Sequence, residues 1–322
     1  MTTSLGMTPP HLVSVASMSA DQVDSLITDA TQLVDAGLAA EFPRLDGLIV
    51  ATLFFQPSTR TRLSFESAAM RLGARCLSCA DGATLRAGSA WQESLADTAR
   101  VVNAYADIVV LRHPAANAAS EYAAMSKIPV INAGDGTEHP TQALADVMTL
   151  WRELGRLDHL RLMLVGDLDQ RCARSLLLAL SLYGRVRVLV VPHPGSDLDP
   201  GLAKKLVDRG LLIDYGTSIS AHLEQVDAVY MVGMNDPAKQ PLPRYCLDPM
   251  ALTRCKRVPI ILHPLPRGPE VPKALDGSSS AAYFRQAANA VALRMALIKR
   301  MVATPTRRLD MAPPEGAPKL HS

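Results

Sequence analysis

The chain has 322 residues, 48% of them hydrophobic, so it is long enough to form two domains that each bury a core. Lys plus Arg number 33 and Asp plus Glu number 31, with no block of like charge, which argues against nucleic acid as a partner. The longest uncharged apolar run, residues 175–183, is about half a membrane span, and Asp21 comes too late for a signal peptide. We therefore predict a cytoplasmic protein that does not enter a membrane.

Helix-like and strand-like segments alternate along most of the chain. Residues 1–19 are predicted to be loosely ordered because Pro9 and Pro10 interrupt any element, and a helix capped by Ser19 then runs to Gly37. Short β-branched and apolar runs predict strands at residues 48–53, 75–78, 108–111, 129–132, 161–165, 186–191, 212–215, 228–231 and 260–262. Apolar residues at helical spacing predict helices at residues 61–72, 93–103, 118–126, 141–154, 173–183, 201–209 and 287–303. This alternation indicates an α/β protein with two doubly wound parallel-sheet domains linked by helices.

The turn after the strand at residues 48–53 carries the strongest chemical signal. Hydroxyl and guanidinium groups alternate there, in the order Ser58, Thr59, Arg60, Thr61 and Arg62. Together with the backbone N–H groups and the positive dipole end of the following helix, they predict an anion site suited to phosphate. The alternative is that Ser58 and Thr59 only cap the helix and that the arginines are solvated.

Three sequence blocks resemble motifs of the aspartate/ornithine carbamoyltransferase family. Residues 58–65 match the S-T-R-T-R-x-S-F pattern of that family's carbamoyl-phosphate loop in full. Residues 139–142 are similar to its H-P-T-Q segment, and residues 263–267 read H-P-L-P-R, the aspartate-type form of its late loop. The blocks lie in the family's order and spacing, and the resemblance extends from about residue 11 to about residue 302. All three lie at predicted strand ends, where ligands of open α/β sheets bind.

This resemblance implies transfer of the carbamoyl group of carbamoyl phosphate to an amino-acid-type amine, with release of phosphate and without a metal or other cofactor. The phosphate is then held by Ser58, Thr59, Arg60 and Thr61. The attacked carbonyl becomes an oxyanion, which Arg112, Thr61 and His139 contact. The candidate catalytic residues are accordingly Arg60, Thr61, Arg112 and His139.

Two further groups are expected to accept hydrogen bonds from the carbamoyl NH2. They are the side-chain oxygen of Gln142 and the backbone carbonyl of Leu265, whose bond to Pro266 is expected to be cis as in the family. Simpler explanations remain open for two candidates. His139 is, on the alternative view, a helix-start histidine bonded locally, and Arg112 is a surface residue paired with its neighbour.

One departure from the family lies in a loop that relatives donate to a neighbouring subunit. Where the family has the lysine of K-G-E-S/T-L-x-D-T, this chain has Trp91, and Arg86 in the preceding loop is a candidate to replace the lost charge on the phosphate. Trp91 either packs the loop or forms a wall of the acceptor pocket. The shared-loop design implies a homotrimer with active sites between chains, and it leaves a regulatory subunit undecided.

The other departure lies in the acceptor half. Arg171 matches, with one deletion, the family's arginine for the acceptor's α-carboxylate. Further along, the aspartate enzymes carry T-R-V-Q where residues 232–235 of this chain read V-G-M-N. By this match, Gly233 and Asn235 line the acceptor pocket. Gly233 stands at the position of the family's arginine and cannot bind a side-chain carboxylate. We therefore predict an acceptor other than aspartate. One alternative is a genuine aspartate carbamoyltransferase of pyrimidine biosynthesis, with Arg267, Arg244 or Lys239 as the substitute, and the other is an inactive scaffold homologue.

The domain boundaries follow from the alternation of predicted elements and from the resemblance to the family. We place the carbamoyl-phosphate domain at residues 1–145 and the acceptor domain at residues 146–286. Residues 287–303 are expected to return to the first domain, as in the family. Residues 304–322 are rich in Pro, Arg and Gly and are predicted to form a disordered tail.

Overall fold

The fold was analysed in a computed structural model, which describes residues 11–37, 44–80, 93–233 and 241–303. Its strands form two five-stranded sheets in which every pairing is parallel. The first sheet contains β1 (His11–Leu12), β2 (Ile49–Phe54), β3 (Arg75–Cys79), β4 (Ile108–Arg112) and β5 (Val130–Asn132), in the order β1-β5-β4-β2-β3. The second contains β6 (Arg161–Gly166), β7 (Arg187–Pro192), β8 (Leu212–Tyr215), β9 (Ala228–Gly233) and β10 (Ile260–Leu262), in the order β10-β9-β6-β7-β8. The predicted α/β class with two parallel sheets is confirmed.

Helices connect the strands and cover the sheets. They are α1 (Ala20–Asp35), α2 (Thr59–Arg71), α3 (Leu95–Val102), α4 (Ala118–Met125), α5 (Pro140–Leu154), α6 (Arg171–Leu180), α7 (Pro200–Asp208), α8 (Pro249–Arg254) and α9 (Tyr283–Ala303). Local sequence explains the clearest boundaries. Ser19 and Gln22 form a reciprocal capping box at the start of α1, and Pro140 occupies the first turn of α5, where its missing N–H costs nothing.

The core extends from one sheet to the other. The largest group of buried apolar side chains includes Leu26 of α1, Phe65 of α2, Leu144 of α5, Leu177 of α6 and Leu293 of α9. Helix α9 packs against α1, α2 and α5, and α5 also packs against α6. Because α5 and α9 bury side chains on several sides, they hold the carboxyl ends of the two sheets toward a common space.

Two predictions about elements are wrong, and one helix was missed. Residues 11–17 are not loosely ordered, because β1 pairs with β5 and the segment Val15–Ser17 forms a 3-10 turn capped by the hydroxyl of Ser14. Helix α8 was not predicted. Helix α9 starts at Tyr283 rather than at residue 287.

Several predictions lie outside the described residues. They concern Arg86, Trp91, Asn235, Lys239 and the tail at residues 304–322. The domain boundaries also stay a prediction. Among the described helices, none is long and apolar enough to cross a membrane.

Candidate active site

The carboxyl ends of six strands from both sheets face one cavity of about 810 Å³. Ten of the described residues that the sequence nominated lie on its wall, whereas Arg62, Arg244 and Arg267 do not. From the first half these are Ser58, Thr59, Arg60, Thr61, Arg112, His139 and Gln142, and from the second half Arg171, Gly233 and Leu265. The two sheets therefore contribute to one site, as expected for ligands bound outside the carboxyl ends of parallel strands.

The first wall of the cavity is the start of α2. Ser58 is the N-cap residue, yet its side chain makes no capping hydrogen bond, so the alternative that it serves only as a cap is wrong. The N–H groups in the first turn of a helix have no partner within the helix, and the helix dipole adds positive potential there. Ser58, Thr59 and Thr61 all line the cavity at this turn. The turn thus offers donors and no negative charge.

Positive charge dominates the described lining of the cavity, which includes four arginines and no Asp, Glu or Lys. The four are Arg60, Arg112, Arg171 and Arg294. Burial, together with repulsion from Arg171 and Arg60, lowers the pKa of Arg112 to about 9, and burial lowers the pKa of Arg294 to about 10. The Nε atoms of both groups are buried without a hydrogen-bond partner. An anion would relieve the repulsion and supply acceptors for these donors.

Arg112 is the last residue of β4, and its guanidinium is buried rather than part of a surface pair. One Nη donates to the carbonyl of Ala133 at 3.1 Å. Gly134 makes this position accessible, because a Cβ atom there would lie 2.6 Å from Nη1 of Arg112 and 3.1 Å from the ring of His139. A glycine at φ +111° therefore lets the arginine and the histidine approach each other.

His139 is the N-cap residue of α5 and is buried. Burial and, next, the positive charges of Arg112, Arg171 and Arg294 hold its pKa well below the usual range, so the imidazole is neutral at neutral pH. The backbone N–H of His139 donates to the hydroxyl of Ser175 at 2.8 Å, and ring atom Nδ1 lies 3.4 Å from the hydroxyl of Thr141. A neutral ring fixed in this way can donate one N–H into the cavity.

Gln142 and Arg171 both line the cavity, and each is held by hydrogen bonds. The amide nitrogen of Gln142 donates to the buried carboxylate of Asp146 at 2.7 Å, which leaves the amide oxygen as the free end of that side chain. Arg171, at the start of α6, donates to the carbonyl of Asp135 at 2.7 Å and to the side chain of Gln56 at 2.8 Å. It thereby connects the second sheet's helix to two loops of the first half.

The loop after β10 closes the site. The Leu265–Pro266 bond is cis, as expected. The backbone N–H of Leu265 donates to Nδ1 of His263 at 2.7 Å, and Nε2 of His263 lies 3.0 Å from the carboxylate of Glu270. The carbonyl of Leu265 accepts from Arg60 at 2.5 Å, so this loop contacts the phosphate-loop arginine directly.

The acceptor side of the cavity contains Gly233, which has φ +85°. Two proposed substitutes for a carboxylate-binding arginine are engaged elsewhere. Arg267 binds Asp276 and the hydroxyl of Tyr283, and Arg244 stacks on the ring of Tyr245 at 4.9 Å. Neither side chain is among the described residues that line the cavity, which argues against both substitutions.

Sequence reasoning missed Arg294 of α9. The residue is 3% exposed, and its guanidinium donates to the hydroxyl of Ser64 and lies over the ring of Phe65 at 4.8 Å. The available signal was its position in the helix. Arg294 is flanked at helical spacing by the apolar residues Ala290 and Leu297, so a charged residue occupies the buried face.

Fold and site together define an α/β protein with an arginine-lined cavity at the carboxyl ends of both parallel sheets. Two family sequence models match the chain, namely "Aspartate/ornithine carbamoyltransferase, carbamoyl-P binding domain" over residues 10–152 and "Aspartate/ornithine carbamoyltransferase, Asp/Orn binding domain" over residues 158–301. The aspartate carbamoyltransferase catalytic subunit of Methanospirillum hungatei is 38% identical over 301 residues, covering 91% of this chain and 99% of its own length.

Solved structures give the same result. The aspartate transcarbamoylase catalytic subunit of M. jannaschii has a TM-score of 0.82 and 34% identity, over 92% of this chain and 98% of its own. The Trypanosoma cruzi aspartate transcarbamoylase in complex with carbamoyl phosphate and aspartate has a TM-score of 0.80 and 30% identity, over 90% of this chain and 96% of its own. The chain therefore belongs to the aspartate/ornithine carbamoyltransferase family. It is a carbamoyltransferase, similar to the aspartate-type members.

Proposed function

We propose that the chain transfers the carbamoyl group of carbamoyl phosphate to the amino group of aspartate, a reaction of pyrimidine biosynthesis. The observation that carries this proposal is the set of four arginines on the cavity wall, where the described lining includes no acidic residue. Carbamoyl phosphate brings about two negative charges. Aspartate with a neutral amine brings both of its carboxylates, so the charges of the two substrates balance those of the arginines.

The reaction needs a held phosphate, a polarised carbonyl and an aligned amine. In the proposed mechanism the start of α2, with Ser58, Thr59, Arg60 and Thr61, binds the phosphate. Arg112 donates to both the phosphate and the carbonyl oxygen, and the neutral His139 and Thr61 donate to the same oxygen as it gains charge. The departing phosphate takes the proton of the attacking amine, so no protein base is required.

The acceptor amino acid binds on the other side of the cavity. Arg171 is the proposed partner of its α-carboxylate, and Arg294 adds a further buried positive charge within the same cavity. The carbamoyl NH2 is oriented by the oxygen of Gln142 and by the carbonyl of Leu265. Each of these assignments rests on the position of the group at the cavity wall and on the hydrogen-bonding capacity it has left.

The preference for a non-aspartate acceptor, which the sequence suggested, is given up as the main interpretation. The named relatives are aspartate carbamoyltransferases, and one related structure contains carbamoyl phosphate and aspartate together. One observation keeps a second candidate, a neutral or short diamino acid. Gly233 stands where an arginine was expected, and its φ of +85° does not suit a larger residue.

A phosphate-release assay with carbamoyl phosphate and a panel of amines tests the proposal. We expect turnover with L-aspartate to exceed turnover with asparagine, alanine, ornithine and 2,3-diaminopropionate. Faster turnover with a monocarboxylate would support the second candidate instead. A folded protein without turnover on any amine would overturn both proposals and leave the inactive scaffold.

We also propose a homotrimer in which residues 81–92 of one chain complete the site of its neighbour, with Arg86 replacing the family's lysine. The support is the sequence pattern of that segment. A cytoplasmic location is proposed on the composition of the chain alone.

A further inference from the structure

A buried carboxylate lies directly behind the active site and does not touch the cavity. Asp146 of α5 is fully buried, and three side chains donate to it. Oδ1 accepts from the amide nitrogens of Gln142 at 2.7 Å and Gln286 at 2.6 Å, and Oδ2 accepts from the hydroxyl of Tyr230 at 2.8 Å. These donors come from α5, α9 and β9, so the carboxylate connects three elements that meet at the site.

A carboxylate can only accept hydrogen bonds, and this fixes the direction of both glutamine amides. Gln142 must direct its NH2 group to Asp146 and its oxygen away from it. Gln286 must do the same, and its oxygen accepts from the backbone N–H of His263 at 2.9 Å. The ring of His263 in turn accepts from the N–H of Leu265 at 2.7 Å. One carboxylate therefore determines the orientation of Gln142 and, through two further hydrogen bonds, supports the backbone of Leu265 at its N–H group.

Gln142 and Leu265 are the two groups assigned to the carbamoyl NH2 in the proposed function. We propose that Asp146 is a positioning residue that makes the site select an acyl phosphate bearing an NH2 group, by holding both acceptors of that group toward the cavity. The inference rests on the proposed function. It adds the origin of the preference for a carbamoyl over an acetyl group, which differ only in NH2 against CH3.

Substitution of Asp146 distinguishes a role in selecting the NH2 group from a general weakening of ligand binding at the site. In Asp146→Ala, Gln142 loses the partner that fixes its amide, so the hydrogen bond to the carbamoyl NH2 weakens while the phosphate loop keeps its donors. We expect the KM for carbamoyl phosphate to rise roughly tenfold. The inhibition constants of acetyl phosphate and of inorganic phosphate are expected to stay within about twofold of the unaltered enzyme, because neither ligand presents an NH2 group.

A matched control is Asp227→Ala. Asp227 is also a buried carboxylate with several donors, but it lies at the opposite end of β9 and binds Arg156, Arg161 and Arg257. This variant is expected to lose stability. The ratio of its KM for carbamoyl phosphate to its inhibition constant for acetyl phosphate is expected to stay unchanged. If Asp146→Ala does not fold, Gln286→Ala keeps the carboxylate, removes the link to His263, and is expected to shift the same ratio in the same direction.

The inference is overturned if the folded Asp146→Ala variant binds carbamoyl phosphate and acetyl phosphate more weakly by the same factor. It is overturned as well if the binding of neither ligand changes. It is also overturned if the Gln286 variant keeps the original ratio. The proposed function is judged separately, by turnover of the unaltered full chain. If that chain has no turnover, the same ratio is measured as binding constants by calorimetry, so the two ideas fail on different results.

Discussion

Arg112 is the residue whose substitution we expect to lower the catalytic rate most. Its guanidinium is buried, its Nε has no partner, and its pKa is lowered to about 9 by burial and by Arg171 and Arg60. Arg112→Ala removes the proposed donor to the developing oxyanion, so kcat should fall by about 10²–10³. Steady-state phosphate release measures this. Arg187→Ala, which breaks an exposed ion pair with Asp214, is the control and should retain its rate. A comparable loss in both variants would contradict the assignment.

The sequence predicted residues of the site that belong to short contiguous motifs and missed those that arrive through tertiary packing. Ser58 to Thr61 and His139 to Gln142 each follow one strand end, so local pattern was enough to find them. Arg294 lies more than two hundred positions beyond Ser64, to which it donates, and only the fold of α9 over α2 brings the two together. No local periodicity encodes such a contact.

The buried carboxylate of Asp146 predicts a pH effect on stability. Burial raises its pKa from 3.8 to about 6 in the folded chain. Between these values the folded state binds more protons than the unfolded state, so the contribution of Asp146 to the free energy of unfolding decreases as pH rises. A shift of about two units corresponds to roughly 3 kcal/mol.

Asp146→Asn has no such titration, which allows the effect to be isolated from that of His139 and other groups. Urea unfolding of both proteins at several pH values measures this effect. Relative to the Asp146→Asn variant, the unaltered chain should lose stability as the pH rises from about 4 to about 6, and the difference between the two proteins should stay constant above about pH 6. Parallel stability curves over this interval would refute the buried, raised carboxyl group.

Among the elements, β6 and β9 approach each other closely at Gly166 and Gly233, beside the cavity. Their register shifts between Val165 and Gly166, and a Cβ atom on Gly166 would lie 2.7 Å from the carbonyl oxygen of Gly233. Gly166→Ala should therefore cost about 3 kcal/mol or more, because both backbone strain at φ +122° and a clash with backbone oppose it. Gly195→Ala is the matched control, with φ +78° and nothing within 4 Å of the added carbon, and should cost only about 1 kcal/mol. Equal losses in urea unfolding would refute the close approach.

Element prediction succeeded where a buried parallel strand gives a run of β-branched residues, and failed where an element is short. All nine predicted strands are present. Strand β1 has only two residues and pairs with a segment more than a hundred positions away, so no pattern within it distinguishes it from a loop. Helix α8 has six residues, which is too short for an amphipathic repeat to be recognised.

At the scale of the whole molecule, the proposed trimer makes a quantitative prediction. Let one variant be Arg112→Ala, whose residues 81–92 are intact, and the other Arg86→Ala, whose Arg112 is intact. If each site combines Arg112 of one chain with Arg86 of the next, every mixed trimer has one junction at which both are intact. A random equal mixture of exchanged chains should therefore recover about a quarter of the unaltered activity, although each variant alone is nearly inactive.

A control must show that activity returns because two chains share a site and not because chains have exchanged. A mixture of Arg112→Ala with His139→Ala provides the control, because both residues belong to the same chain's part of the site and no junction in any mixed trimer is intact. That mixture should stay inactive under identical exchange conditions, with native mass spectrometry counting the mixed trimers in both cases. Recovery in the control, or none in the Arg86 mixture once mixed trimers are counted, contradicts the shared site. A monomer by light scattering contradicts the trimer itself, because a ring of chains is then absent and each cavity must be complete within one chain.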